Sequence, residues 1–204
     1  MLERPTDRRI IRTKRLIRDA LTELMEEKGF EVITVRDLTE KADINRGTFY
    51  LHYRDKFDLL DQCEDEIINE IQKLTHKIDP KDALKFDGQK EPFPFIVYLF
   101  EYLHENSSFM KVVLGPKGDA SFQVKLKELI RRTFFQNILS KLKQEEMLVP
   151  VDFLIAYVSS AHLGVIQHWL ESGMEKSPRE MALILSRITL LGPRHVTGLT
   201  SKEL

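Results

Sequence analysis

Leu16, Ile17, Ala20, Leu21, Leu24 and Met25 recur at the i, i+4, i+8 spacing of one helical face, which predicts a first amphipathic helix over 8–28. Gly29 follows as a residue able to close that helix in the left-handed conformation, with Phe30 folding back on its last turn. Thr34-Val35-Arg36-Asp37 has the form of a capping box, and Val35, Leu38 and Ala42 share one face of a short second helix that ends near residue 42. Asp43 and Ile44 make a turn. Asn45 is a good N-cap, Ile44 can staple onto Phe49, and a third helix starts at Arg46. The capping pattern repeats at Asp55-Lys56-Phe57-Asp58, and Phe57, Leu60, Ile67, Ile68 and Ile71 carry a fourth helix over 56–78.

Apolar periodicity fades over 77–92, where Pro80, Gly88, Pro92 and many charges read as a loop. Further helices are predicted over 94–104, over 109–114 with a stop at Gly115-Pro116, over 120–147, and from Pro150 to about Ser172 with Gly173 as cap. Ser177-Pro178-Arg179-Glu180 opens the last helix with proline in its first turn, and Gly192-Pro193 ends it. The pattern contains no repeat, no low-complexity tract and no convincing strand. The fold class it predicts is all-α, about nine helices: a three-helix bundle with a helix-turn-helix over 1–60, then a helical bundle over 61–204, with the fourth helix connecting them.

The second and third helices, short and separated by about three residues, match a helix-turn-helix, whose second helix reads DNA. Phe49 and Tyr53, four apart, face inward and leave Arg46, Gly47, Thr48, Tyr50 and His52 outward. Arg46 suits a fork onto guanine, Thr48 and the Tyr50 ring suit bases or thymine methyls, and Gly47 permits close backbone approach. His52 and Lys56 suit phosphate, and Thr34 and Lys56 stand at helix N-termini that favour an anion; Arg36 and Asn45 complete the expected DNA-binding set.

Charge supports this locally and not globally. The chain's formal net charge is -1, yet seven cations (Arg4, Arg8, Arg9, Arg12, Lys14, Arg15, Arg18) face two acids, Glu3 and Asp7, in the first eighteen residues. A basic helix face alone is compatible with plain solvation; beside the outward residues of the third helix it adds nonspecific DNA affinity. With 42% hydrophobic residues there is enough apolar content for a core, and no apolar run approaches the ~20 residues of a membrane span. No apolar segment of a secretion signal follows the early charges, so a cytoplasmic protein is expected, without membrane association.

Gly29-Phe30, Thr34-Val35-Arg36-Asp37-Leu38, the run from Ala42 through Asn45-Arg46-Gly47-Thr48-Phe49-Tyr50-Leu51-His52-Tyr53, and Lys56-Phe57-Asp58-Leu59-Leu60 together resemble the signature of TetR-family transcriptional regulators. The resemblance covers about the first 60 residues, with Asn45 where serine is frequent and Asp55 where proline or serine is frequent. Over 92–173, including Gly164-Val165-Ile166-Gln167-His168-Trp169-Leu170, the chain is similar to a subgroup common in Firmicutes. The resemblance implies a three-helix DNA-binding domain followed by an effector pocket and a dimer interface. The expected function is thus a repressor released from a palindromic double-stranded DNA operator by a small apolar ligand. The alternatives are an activator, or a DNA-binding protein whose second bundle only dimerises.

The remaining chemistry is sparse. Glu101-Tyr102-Leu103-His104 has the Glu-x-x-His form of a di-iron helix but no second copy, and His162 and His168 lie six apart, out of register for shared metal ligation. The lone Cys63, among Asp61, Glu64 and Asp65, is disfavoured as a thiolate and reads as a buried small hydrophobe. No catalysis, metal or cofactor is expected. Tyr102, Phe109, Met110, Phe134 and Tyr157 are the expected effector-pocket residues, near the break at Gly115-Pro116. Met181, Ile184, Leu185 and Ile188 form an apolar stripe that, with Trp169, is expected at a homodimer interface.

Overall fold

A computed structural model describes residues 5–75, 91–137 and 147–198 of the chain. Helices are the only regular elements among the described residues: α1 (Pro5–Lys28), α2 (Val35–Lys41), α3 (Arg46–Tyr50), α4 (Lys56–Thr75), α5 (Pro94–Glu105), α6 (Ser107–Leu114), α7 (Ala120–Asn137), α8 (Val151–Glu171) and α9 (Pro178–Val196). Their ends follow the capping residues. Thr34 accepts from the Asp37 amide while Asp37 reaches back to the Thr34 amide, and Ser177 and Glu180 do the same for α9. Gly29, at φ 79°, closes α1 by donating to the Met25 carbonyl. One cue behaves otherwise: Asn45 holds the N-cap position of α3 without a side-chain capping bond. Gly192, at φ 75° and ψ 164°, breaks the helical backbone of α9 as expected, and a short further turn starts at Pro193.

The helices collect into two compact units, Met1–Ile67 with Ser108–Phe122, and Ile68–Ser107 with Gln123–Leu204. In the first, Ile17, Leu21 and Met25 of α1, Leu38 of α2, Phe49 and Leu59 form a core of side chains essentially removed from solvent. Burial of each such side chain stabilises by about 1.5–3 kcal/mol. Ion pairs fasten α2 to α1: Lys41 to Glu23 and Glu27 at 2.7 and 3.0 Å, and Lys28 to Asp37 at 3.0 Å.

A boundary near residue 60 does not anticipate that α6 packs with the N-terminal helices. Phe109, Met110 and Val113 are buried in the first unit, and the Arg18 guanidinium lies 4.8 Å from the Phe109 ring centre. Beyond α6, Lys117 donates to the Glu26 carbonyl at 3.5 Å. Gly118 permits that turn, since a Cβ there would stand 2.0 Å from the Val113 oxygen.

The second unit is organised around α5, α8 and α9. Phe100 meets Trp169 edge to face with ring centres 5.1 Å apart, and the indole Nε1 donates to the Lys176 carbonyl at 2.9 Å. Ser186 accepts from the Phe93 amide at 3.0 Å, and Arg179 pairs with Glu91 at 2.7 Å. His162 and Thr189 share a 2.8 Å hydrogen bond between α8 and α9; burial drives the imidazole pKa down to about 4.

Candidate nucleic-acid interface

The helix-turn-helix is built on Phe49 and Tyr53, whose burial at 0% and 4% exposure turns the opposite side of α3 outward. Arg46, Gly47 and Tyr50 are exposed on that side, and Thr48 and His52 are half-buried. Arg46 Nη2 lies 3.5 Å from the Tyr50 hydroxyl, so guanidinium and ring stand side by side one helical turn apart. Nothing lies within 4 Å of where a Gly47 side chain would begin, leaving backbone accessible at the middle of the surface. Leu51, which the periodicity assigns to neither face, extends the same exposed stretch at 82% exposure.

Acidic groups nearby are held in local pairs. The Thr34 hydroxyl first, then Lys28, lower the Asp37 carboxyl to about 2. Arg36 Nε binds Glu40 at 2.7 Å on the outer side of α2, and Arg54 lowers Asp58 by donating from its amide and guanidinium. Such pairing reduces the repulsion a polyanion would meet. Thr34, Arg36, Asn45 and Arg46 all remain solvent-accessible.

Lys56 departs from expectation. Its ammonium donates to the carbonyls of Phe30 and Glu31 at 3.1 and 2.7 Å, and sits 4.8 and 5.1 Å from the Phe30 and Phe57 ring centres. The α4 N-terminus is likewise engaged, with Asp55 Oδ1 accepting from the Phe57 and Asp58 amides at 2.9 and 2.8 Å. Lys56 therefore tethers the α1–α2 loop, and the Asp55 carboxylate occupies the Phe57 and Asp58 amides at the start of its helix.

The expected effector residues fall in both units. Phe109 and Met110 are buried in the first unit, whereas Tyr102 is half-buried and Tyr157 is 52% exposed in the second. The Phe134 side chain lies outside the described residues. A cleft of about 430 Å³ is lined by Met147, Leu148, Val149, Pro150, Val151 and Asp152, and includes none of the five.

The expected dimer stripe needs a similar correction. Trp169, Met181 and Leu185 are 2%, 6% and 1% exposed, Trp169 lying against Phe100 of α5 and α9 packing mainly on α5. Ile184 and Ile188 remain partly exposed. The apolar surface left open on α8 and α9 instead includes Phe153 at 69%, Tyr157 at 52% and Leu190 at 42% exposure. An i, i+3, i+4 pattern marks a helix's apolar face without saying which chain covers it.

Cys63 is buried, and burial pushes its thiol up to about 12. Among the described residues no group of three His, Cys, Asp or Glu side chains is placed to hold a metal ion, and no described helix is long and apolar enough to cross a membrane.

Two family profiles match the chain: "Bacterial regulatory proteins, tetR family" over residues 17–63, and "Transcriptional regulator C-terminal region" over residues 90–190. The HTH-type transcriptional regulator YxbF of Bacillus subtilis is 22% identical over 176 residues, 81% of this chain and 42% of that protein. The chain spans less than half the length of the curated relatives it matches. A TetR transcriptional regulator from Streptococcus agalactiae has the same fold, with a TM-score of 0.63 at 20% identity over 90% of this chain and 97% of that one. So has Bacillus subtilis FadR in complex with stearoyl-CoA, with a TM-score of 0.58 at 16% identity over 88% of this chain and 98% of that one. With both profiles matching in sequence order on an all-helical fold with an N-terminal helix-turn-helix, the chain belongs to the TetR family of bacterial transcriptional regulators.

Proposed function

We propose that the chain acts in the cytoplasm as a homodimeric repressor, bound to a palindromic operator and released by a small apolar ligand. The observation that carries the DNA-binding part is the outward surface of α3: Arg46 and Tyr50 side by side, Gly47 open, all on a helix anchored by buried Phe49. One such helix spans few base pairs, so two-fold pairing of chains, and a palindromic site to match, supplies specificity. The dimer surface consistent with burial comprises Phe153 and Tyr157 of α8 with Ile184 and Ile188 of α9. An apolar ligand is favoured by the aromatic content of the second unit and by the stearoyl-CoA bound to the related FadR fold. Its binding changes operator affinity only as far as it favours one conformer over another.

The test is selection of duplexes from a random library with the full chain, followed by anisotropy titration of the recovered sequence. Arg46→Ala is expected to lose about 1–3 kcal/mol of binding on that sequence and little on a scrambled duplex. Equal losses on both would remove the base-reading role. Adding stearoyl-CoA or other lipophilic compounds to the bound complex tests release; compounds that stabilise the protein without moving operator affinity would leave the second bundle an assembly module. An activator uses the same parts, and a promoter fusion distinguishes the two by the sign of its change when the gene is deleted.

A further inference from the structure

The outward side of α3 has an apolar centre. Leu51 caps the helix at φ -71° and ψ -20°, and its amide donates to the Gly47 carbonyl at 3.2 Å, so the helical path runs on through it. At 3.6 residues per turn, a residue two places from both Phe49 and Tyr53 stands about 160° around the axis from each. Those two rings are buried, which aims the Leu51 side chain most directly outward, and it is 82% exposed. Gly47, one turn earlier on the same side, adds no side chain, and nothing lies within 4 Å of where its Cβ would stand. Arg46 and Tyr50 flank this line on one side and Thr48 on the other. Leu51 thus gains little from its own fold, and it is the one member of the group that cannot hydrogen-bond through its side chain. A lone exposed leucine is ordinary on a protein surface; at the centre of a polar reading face it selects what that face can meet.

The major groove offers one apolar group, the C5 methyl of thymine, and the other base edges present hydrogen-bond donors and acceptors. Set against a leucine, those donors and acceptors lose water and gain no bond. The contact therefore favours thymine twice, by attraction to the methyl and by a penalty on the other bases. We propose that Leu51 makes operator recognition depend on a thymine methyl, placed about two base pairs from the guanine that suits Arg46. The spacing follows from geometry: five residues advance about 7.5 Å along a helix, against ~3.4 Å for each base pair. This rests on the DNA-binding reading and deepens it, since it names part of the sequence each half-site contains.

The test takes the duplex recovered by selection with the full chain and replaces its thymines, one half-site position at a time, with deoxyuridine, which pairs alike and lacks only the methyl. At one position the unaltered chain should lose about fourfold in affinity per half-site, the effect of one buried methyl group, read by anisotropy titration. Leu51→Ala should bind the thymine duplex more weakly and no longer distinguish thymine from uracil at that position, whereas Arg46→Ala should still distinguish them. Without DNA, Leu51→Ala should melt at the temperature of the unaltered chain, because the side chain is exposed. A lower melting temperature would make the leucine structural and overturn the proposal. So would an unaltered chain indifferent to every thymine methyl. A methyl effect that persists in Leu51→Ala would also overturn it, and would pass the methyl to Thr48 or the Tyr50 ring. If the unaltered chain selects no duplex, the DNA-binding reading itself fails; a selected duplex with no leucine-dependent methyl effect removes this inference alone.

Discussion

At the scale of single residues, Lys56 and Arg46 are both cations near α3, yet they act differently because one is bonded inward and the other faces out. Lys56→Ala removes a charged donor from two loop carbonyls, so it should lower stability by about 1–3 kcal/mol in chemical denaturation. Operator affinity per folded molecule should stay nearly constant; a loss as large as that of Arg46→Ala would restore Lys56 to the interface. His162 adds a pH dependence whose sign follows from burial. Its folded pKa, about 4, lies below the unfolded value near 6.5. The neutral form therefore supports the fold above about pH 6.5, and its contribution is lost as pH falls toward 4. A His162→Gln variant should show a smaller drop in melting temperature over that window, and an identical drop would exclude the imidazole as the cause.

Among the elements, most helix boundaries were legible in the sequence because capping is local: Thr34 with Asp37 and Ser177 with Glu180 lie within one turn. Thr34→Ala should therefore cost about 1 kcal/mol of stability, read by urea denaturation, and no measurable change would demote the box to a surface contact. The outward side of α3 was legible for the same reason, since Phe49 and Tyr53 sit four residues apart. What remained hidden depends on contacts distant along the chain. Nothing near Lys56 announces the Phe30 and Glu31 carbonyls, 26 and 25 residues away, and nothing near Phe109 announces Arg18. The α6 turn shows how tightly such packing is specified. Gly118→Ala would drive a methyl group onto the Val113 carbonyl and should destabilise by about 1–3 kcal/mol, a loss visible in thermal melts.

For the whole molecule, the difference between Trp169 and Tyr157 separates folding from assembly. Trp169 is enclosed by its own chain, so Trp169→Asp should unfold the second unit, whereas Tyr157→Asp should leave the fold intact and weaken a dimer formed through α8. Light scattering with circular dichroism at micromolar concentration separates the outcomes; a Tyr157→Asp chain that still dimerises moves the interface elsewhere. The pattern of apolar residues could not make this distinction, because a core and an interface bury the same chemistry. One further consequence comes from Cys63. With the chain's only sulfhydryl enclosed and its thiolate disfavoured, maleimides find almost no reactive thiol. The native sequence is thus already a near-silent background for labelling: a cysteine placed at Leu51 would take a fluorophore or spin label almost alone and report the approach of α3 to a duplex in real time.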